Sequence, residues 1–440
     1  MWANPKAWNA PQPYFPIRFN NAISAPPGQR HDSIYYMMTE RQLFQQHLAP
    51  TSPEPMAFPV SRAAGAILYD DADNAFIDLI GGISVCNVGH CHPRVVAAIR
   101  EQAGQYLHVM VYGEALQSPQ VQYARLLAEQ LPASLDCVYF TNSGAEAVEG
   151  AMKLAKRLTN RTEIIACHNS YHGSTQGALS LLGDEYFRNA FRPLLPDIRH
   201  VQHNNFESLA FITGRTACIV LETVQAEGGV LAPSLSWMEA LRRRCDETGA
   251  LLVLDEIQVG FGRTGTLWGF EQYGIVPDIL LLGKALGGGM PLGAFIASNG
   301  KMQALAHNPV LGHITTFGGH PVSCAAGKAA LEVMLEERLW QQVPAKEQLF
   351  LSLLQHRAIK QVRSKGLMIA IELDSYETVL QVIGACTRGQ AADGAYKGVF
   401  TDWFLFAANC IRIVPPLTIT EAEITSACRI LLQAMDQVVA

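Results

Sequence analysis

The sequence predicts an α/β fold, in which a large domain with a mainly parallel sheet sandwiched by helices is joined to a smaller α+β domain. Between about 94 and 325, short apolar runs alternate with helix-like stretches, which is the pattern of a parallel sheet covered on both faces. After about 326 helices dominate and strands are few. The 440 residues are enough for two domains with their own cores. We therefore expect an N-terminal arm and part of the small domain at 1–90, the large domain at 91–325 and the C-terminal small domain at 326–440.

Composition narrows the class of protein. Apolar residues make up 49% and charged residues 16% of the chain, and the net charge is −6. These values are typical of a compact globular protein and do not favour nucleic-acid binding. We find no signal peptide and no apolar run approaching the roughly 20 residues that span a bilayer. The ten cysteines form no CxxC pair, which favours reduced thiols and a cytoplasmic location without a membrane partner.

The elements follow in order. Residues 1–40 are expected to form an irregular arm, and 65–79 a hairpin with its turn at 71–74. The next part is predicted to contain helices at 94–107, 118–131, 144–159 and 235–248, and strands at 138–140, 163–166, 217–221, 251–254 and 279–282. The last part is predicted to contain helices at 326–337, 344–356 and 421–438, strands at 367–373 and 411–414, and one more helix between these strands. Thr420 and Glu423 match a capping box for the final helix.

Two motifs are set aside. Residues 260–265 match GxGxxG, but the sequence after them has no helical start, so a dinucleotide site is rejected. His90, Cys91 and His92 are adjacent in a predicted loop, and adjacent residues rarely converge on one metal ion. We expect Pro93 to begin a helix directly after them and predict no metal site.

Three other motifs carry chemistry. Lys284 follows an apolar run and enters a glycine-rich turn, where burial could lower the pKa of its amine and make it a nucleophile. Ser143 is a good N-cap for a helix whose first N–H groups suit a phosphate. Asp255 is the first acid after a buried strand, where ligands of parallel sheets bind. Alone, each motif also fits an ordinary loop lysine, a capped helix or an ion-paired acid. Together they are the parts needed to hold pyridoxal phosphate (PLP).

Taken together, the motifs resemble those of the class III (subgroup II) PLP-dependent aminotransferases, a family of fold type I. Its members include the ornithine, acetylornithine, 4-aminobutyrate and ω-amino acid aminotransferases. The matching stretches run in order along most of the chain, at 87–93, 141–146, 171–173, 222–229, 254–265, 282–293, 315–321 and 412–417.

The resemblance implies roles for cofactor-binding residues. Lys284 would form the internal aldimine with PLP and then move a proton between the substrate carbon and the cofactor carbon. Asp255 would pair with the ring nitrogen, Gln258 would lie beside the phenolic oxygen, and Tyr171 would stack on the ring. The phosphate would be held by the helix start at Ser143, Gly144 and Ala145.

The resemblance also implies a homodimer and a two-mode substrate pocket. Thr316 would reach the phosphate of the neighbouring subunit. Arg412 would bind the substrate carboxylate through its guanidinium fork. Glu227 would neutralise Arg412 when an amine end enters instead. Glu222 also matches the family but receives no role, and His320 stands where relatives usually carry asparagine.

Two departures limit the substrate. Relatives specific for acetylornithine or 4-aminobutyrate carry arginine directly after the histidine–glycine pair, where this chain has Ser174. Ornithine-specific relatives carry tyrosine at the position of Ile83. Neither specificity therefore transfers to this chain, although the pair of Glu227 and Arg412 favours a glutamate/2-oxoglutarate half-reaction.

We therefore predict a ping-pong transaminase that moves an amino group from an ω-amine or amino acid donor to a 2-oxo acid, with 2-oxoglutarate preferred. One alternative is an aminomutase, racemase or decarboxylase that uses the same cofactor. Another is a cofactor-sensing or scaffolding protein that kept the fold. A product assay separates these, because only a transaminase consumes one keto acid and releases another.

Overall fold

The computed structural model describes residues 39–111 and 113–439. The predicted N-terminal arm lies outside this range except for its last two residues. The chain divides into two units between Phe58 and Pro59. In the described part of the first unit, an α-helix spans Glu40–His47 and begins at a capping box made by Thr39 and Gln42.

Residues 59–439 contain three sheets. Their strands are β1 Arg62–Ala64, β2 Ile67–Tyr69, β3 Ala75–Asp78, β4 Cys137–Thr141, β5 Glu163–Cys167, β6 Ile198–Val201, β7 Thr216–Glu222, β8 Leu251–Asp255, β9 Ile279–Leu282, β10 Gly293–Ala297, β11 Gln361–Ser364, β12 Ile369–Glu372, β13 Tyr396–Phe400, β14 Trp403–Phe404 and β15 Ala407–Ile413. The right-handed α-helices are Pro93–Gln105, Ser118–Glu129, Gly144–Thr159, Gln176–Leu181, Glu185–Arg188, Leu235–Thr248, Asn299–Met302, Pro321–Glu337, Leu339–Leu353, Tyr376–Thr387 and Glu421–Val438. None of the helices in the described part of the chain combines the length and apolar character needed to cross a membrane.

The central sheet has seven strands in the order β4-β10-β9-β8-β7-β5-β6. Its pairs from β9 to β6 are parallel, which confirms the mainly parallel sheet. β10 is antiparallel to both β4 and β9 and had not been predicted. β6 was also missed. Every residue of β7 and β9 is buried, as expected for strands covered on both faces.

The helix Gly144–Thr159 covers one face of this sheet. Its small and apolar residues pack with those of β5, β7, β9 and β10 in a continuous core. Gly150 is required here, because a Cβ on it would lie 2.3 Å from Phe295 Cε1. Close packing against Phe295 therefore fixes where the helix begins relative to the strand ends, and with it the position of Ser143.

The chain segments before and after the strands of the central sheet form two further sheets of four strands each. In the first, β3 pairs in parallel with β13, so chain segments more than 300 residues apart share one sheet. The second has the order β11-β12-β15-β14. Because residues 59–440 form one compact unit, the domain boundaries near 90 and 325 stay a prediction.

Several element limits differ from those predicted. The helix expected at 326–337 begins earlier, at Pro321, a residue that favours the first helical position. The helix expected at 344–356 begins at Leu339 and keeps Pro344 inside. The final helix spans Glu421–Val438 and begins at the Thr420–Glu423 capping box, as predicted. The hairpin is also confirmed, and a third strand, β1, extends it.

Candidate active site

The candidate site lies where three strands of the central sheet end. β8 ends at Asp255, β9 is followed by Gly283 and Lys284, and β4 leads into the helix that begins at Gly144. These ends surround a cavity of about 230 Å³. It is lined by Gly144, Ala145, Tyr171, His172, Gly173, Ser174, Glu222, Glu227, Asp255, Ile257, Gln258, Val259 and Lys284.

The fold thus brings together most residues singled out from the sequence. A second cavity, of about 320 Å³, shares Tyr171, Glu227 and Lys284 with the first. Its other lining residues are Ile83, Asp402, Trp403, Leu405 and Arg412. Two larger cavities lie elsewhere. One, of about 530 Å³, has no lysine, arginine or carboxylate in its lining. The other, of about 380 Å³, is lined by Glu101, Lys328 and Glu332, but by none of the residues singled out from the sequence. Those residues therefore meet in the two cavities that share Tyr171, Glu227 and Lys284.

Lys284 is the amine of this site. Its Nζ donates a hydrogen bond to Gln258 Oε1 at 2.9 Å. Burial disfavours its charged form, while the carboxylates of Glu227 and Asp255 favour it, and the net result is a pKa below the ordinary value of lysine. A lowered pKa raises the fraction of free amine that can act as a nucleophile or base.

Asp255 is buried and has a partner that the sequence analysis had not assigned. Its Oδ2 lies 2.7 Å from His172 Nδ1, and its Oδ1 accepts the N–H of Ile257 at 3.0 Å. Burial disfavours a charged imidazole, but the hydrogen bond to Asp255 and the nearby charges of Asp255 and Glu222 outweigh it, so the pKa of His172 is raised. The His172–Asp255 pair therefore keeps a carboxylate fixed at the floor of the cavity.

The start of the helix at Gly144 forms one wall of the cavity that contains Lys284 and Asp255. Ser143 Oγ caps it by accepting the N–H of Glu146 at 3.2 Å, and the carboxylate of Glu146 accepts the N–H of Asn142 at 2.9 Å. Ser143 itself is exposed and lies beside the cavity, whereas Gly144 and Ala145 line it. The first N–H groups of a helix have no partner within it, so this wall can bind an anion.

Arg412 and Glu227 form a buried ion pair. Nη1 and Nη2 of Arg412 donate to the two carboxylate oxygens of Glu227 at 2.7 and 2.8 Å. The N–H of Leu405 also donates to Glu227, at 2.9 Å. Burial raises the pKa of Glu227, but the charge and hydrogen bonds of Arg412 outweigh it and leave the pKa below its ordinary value. Both groups are therefore charged near neutral pH.

Glu222 is buried behind Tyr171. Its carboxylate accepts the N–H groups of Tyr171 at 3.0 Å and Ala226 at 2.9 Å. Burial raises the pKa of Glu222 to about 7, with the charge of His172 acting in the opposite direction. Glu222 thus fixes the loop that carries Tyr171 and the loop that carries Glu227.

Of the remaining residues singled out from the sequence, Tyr171 lies in the site, whereas Thr316 and His320 line neither cavity. Tyr171 lines both cavities, and its hydroxyl lies 3.1 Å from Ser174 Oγ. Thr316 is exposed and lines neither cavity. The ring of His320 stacks on that of His108 with centroids 5.7 Å apart, and nothing in the structure explains the exchange of asparagine for His320.

The GxGxxG match and the histidine-rich loop, which were set aside as ligand sites, make polar contacts within the fold. In the GxGxxG match, Arg263 is wholly buried and donates to Asn87 Oδ1 and to the carbonyl of Pro415, each at 2.5 Å. In the histidine-rich loop, His90 Nε2 lies 2.6 Å from Asp78 Oδ2. The helix after that loop begins at Pro93, as expected.

Sequence reasoning missed two site residues. His172 lies within a matching motif, and its position beside Tyr171 was the available signal. Asp402, which lies 2.9 Å from Arg412 Nε, had no local signal, because it belongs to no motif and is ten residues from Arg412 in the chain.

Comparisons with known proteins agree with this geometry. The family model of class III aminotransferases matches residues 48–435. An acetylornithine aminotransferase from Methanopyrus kandleri is 40% identical over 385 residues, which are 86% of this chain and 95% of that protein.

Two solved structures are similar throughout. An ornithine aminotransferase from Toxoplasma gondii, described with partial occupancy of PLP at its active site, has a TM-score of 0.83 and 28% identity, covering 93% of this chain and 99% of that chain. An (S)-enantioselective omega-transaminase from Thermomicrobium roseum has a TM-score of 0.81 and 28% identity, covering 92% and 99% of the two chains.

Proposed function

Since this chain belongs to the class III aminotransferases, we propose that it moves an amino group from an ω-amine or amino acid donor to a 2-oxo acid, with 2-oxoglutarate as the preferred acceptor. The reaction is a ping-pong transamination with PLP as cofactor. The observation that carries the proposal is that Lys284 and Asp255 line one cavity, which is continued by a second cavity containing a buried arginine.

The residues present fit PLP. Among the described residues, Gln258 Nε2 and His172 Nε2 are buried at this cavity without a hydrogen-bond partner, so the site has spare donors. Gly173 keeps the anion-binding wall open, because a Cβ on it would lie 2.6 Å from Ala145 Cβ. When bound, PLP supplies an aldehyde carbon and an aromatic ring that accepts electrons from the substrate carbon.

We assign roles to the cavity residues accordingly. Gly144, Ala145 and Ser143 would hold the phosphate at the helix start, and Tyr171 would cover one face of the ring. Asp255, kept in place by His172, would hold a proton on the ring nitrogen. Gln258 Nε2 would donate to the phenolic oxygen of the cofactor. Lys284 Nζ would bind the cofactor aldehyde and move a proton at the substrate carbon that bears the amine.

The second cavity accommodates the rest of the substrate. With the Glu227–Arg412 pair closed, the guanidinium is neutralised and a donor enters by its amine end. If the carboxylate of Glu227 moves away, the two Nη groups of Arg412 are free to bind the carboxylate of a 2-oxo acid. One pocket can therefore accept both substrates in turn.

We further propose a homodimer in which Thr316 reaches the phosphate of the neighbouring subunit. Thr316 is exposed, and large exposed apolar side chains occur in its own segment and at 109–116. These are Val310, Leu311, Ile314 and Phe317, and Val109, Met110 and Leu116. The ring of His108 packs on that of Phe317, with centroids 4.8 Å apart, and so joins the two segments. Exposed apolar groups of this kind mark protein interfaces.

A cytoplasmic location is supported by the ten cysteines, all of which are free thiols.

The function is tested by turnover with a donor panel of ornithine, acetylornithine, lysine, 4-aminobutyrate, putrescine and β-alanine, with 2-oxoglutarate or pyruvate as acceptor. We expect a new keto acid or aldehyde to appear with glutamate or alanine. Lys284→Ala is expected to lose multiple turnover, and borohydride is expected to attach the cofactor to residue 284 of the wild-type protein, as read by peptide mass spectrometry.

Product analysis distinguishes the transaminase from the other PLP-dependent enzymes considered above. An amine product without consumption of a keto acid would indicate an aminomutase, racemase or decarboxylase and contradict the proposal. A Lys284→Ala protein with wild-type turnover would remove the lysine from the chemistry.

A further inference from the structure

Asp402 contacts the one edge of the Arg412 guanidinium that Glu227 leaves uncovered. The two Nη groups face Glu227, and Nη2 also donates to the carbonyl of Trp403 at 2.8 Å. Nε lies 2.9 Å from Asp402 Oδ1. The two groups form an ion pair, but their geometry does not meet the requirements of a hydrogen bond. Arg412 is therefore held between two carboxylates, both of which line the substrate cavity.

Part of the Asp402 side chain is open to the substrate cavity. Oδ1 is buried, yet 28% of the side chain is exposed, so this exposure belongs to the other atoms of a residue that lines the cavity. Among the described residues, Lys284 and Arg412 are the cations that line this cavity, and the proposed function commits Lys284 to the cofactor. Arg412 is one cation shared by the carboxylates of Glu227 and Asp402, so one negative charge is left in excess in this cavity.

We propose that Asp402 is a specificity-determining residue that selects amino donors with a second ammonium group at the end far from the transferred amine. This inference rests on the proposed function and deepens it. A second ammonium balances the excess negative charge of the two carboxylates, whereas an alkyl end desolvates Asp402 and leaves that excess uncompensated. A carboxylate at the far end of the donor would add a third negative charge beside Glu227 and Asp402. Ser174 adds no opposing cation.

The preference is expected to depend on pH. The charged groups that face Asp402 are Arg412, Glu227 and Asp78, and Asp78 is in turn paired with His90. Burial raises the pKa of Asp402 to about 6, although Arg412 acts in the opposite direction. The carboxylate is therefore ionised at pH 8 and mostly protonated at pH 5, where it no longer attracts an ammonium group.

The test compares donors of equal length that differ at one end. The ratio of kcat/KM for 1,4-diaminobutane to that for pentylamine, and for 1,5-diaminopentane to that for hexylamine, is measured on the PLP-loaded enzyme with one fixed 2-oxo acid. At pH 8 we expect the wild type to favour each diamine by on the order of tenfold, beyond the advantage of having two equivalent amines. Asp402→Asn should reduce each diamine ratio to that expected from two equivalent amines, whatever its absolute kcat/KM for the alkylamines. Asp374→Asn, which removes an exposed acid, is the matched control and should keep the preference.

A wild type without the preference, or an Asp402→Asn enzyme that retains it, would overturn the inference while leaving the transaminase assignment intact. If Asp402→Asn does not fold, the wild type still decides, because its diamine preference must fade as the pH falls through about 6. A preference that is constant between pH 8 and pH 5 would count against Asp402. Absence of turnover with every donor would instead refute the proposed function.

Discussion

Asp255 and His172 show how one hydrogen bond can position a reactive group. His172 is buried beside Asp255, with Nδ1 2.7 Å from the carboxylate and a raised pKa. Without His172, the buried carboxylate would keep only the hydrogen bond from the N–H of Ile257, and desolvation would favour its protonated form. We therefore regard His172 as a positioning residue that acts through Asp255.

Replacing His172 tests this role. His172→Leu removes the donor, and a hydrogen bond to a charged group is worth roughly 1.5–3 kcal/mol. If that energy is lost from the transition state, kcat falls by about 10- to 100-fold. His172→Asn keeps an N–H donor and should recover part of the loss.

Steady-state kcat and its pH profile measure the effect. Equal activity of the Leu and Asn variants would show that His172 only fills space. Rescue by Asn, together with a shifted pH profile for Leu, would support the positioning role.

At the scale of elements, the segment Gly81–Ser84 is a single left-handed turn at the edge of the substrate cavity. All four residues have positive φ, of 53°, 65°, 62° and 60°. Glycine tolerates this conformation, but Ile83 and Ser84 lose roughly 1–2 kcal/mol each. Asp78 secures the entry to the turn, because its Oδ1 accepts the N–H groups of Ile80 at 2.7 Å and Gly81 at 3.0 Å. The turn presents Ile83 to the cavity.

This strain gives a stability prediction. Ser84→Gly should raise the free energy of unfolding by about 1 kcal/mol, because glycine accepts positive φ and the hydroxyl of Ser84 is buried without a partner among the described residues. Ser323→Gly is the matched control, since Ser323 is a buried serine in a right-handed helix and glycine there should lower the free energy of unfolding by about 0.5 kcal/mol. Urea denaturation midpoints at constant slope measure both changes. Two variants that are destabilised alike would contradict the prediction.

At the scale of the whole molecule, the proposed dimer makes each active site depend on two chains. Thr316 lines neither cavity of its own chain, while Lys284 lines both. If Thr316 serves the partner's phosphate, each site takes its Lys284 from one chain and its Thr316 from the other. In a mixed dimer of Lys284→Ala and Thr316→Ala chains, both substitutions therefore fall in one site. The other site is intact.

Subunit mixing tests this arrangement. After exchange of equal amounts of the two variants at limiting PLP, we expect activity to rise above the sum of the separate samples, up to about a quarter of the wild-type value. Activity at limiting PLP and light scattering measure the result. A monomeric protein, or a mixture no more active than its parts, would refute the shared site.

Local sequence was sufficient for five of the seven central strands and for most helices, and together with the family resemblance it singled out most of the residues around the cavity that were assigned roles. Short apolar runs such as 251–254 between turn signals favour buried strands, and caps such as Ser143 and Thr420 act within one turn, so neither signal depends on distant parts of the chain. Lys284, Asp255 and Gly144 meet because strand ends of a parallel sheet share one edge.

Only the tertiary structure decided what depends on pairing between strands or on packing. β10 is short and follows a glycine-rich turn, and its antiparallel place between β4 and β9 has no local signal. The left-handed backbone at Ile83 is imposed by its surroundings against the residue's own preference. Asp402 reaches Arg412 because β14 turns back on β15, so the charge of the substrate cavity is set by a contact that no motif in the sequence predicts.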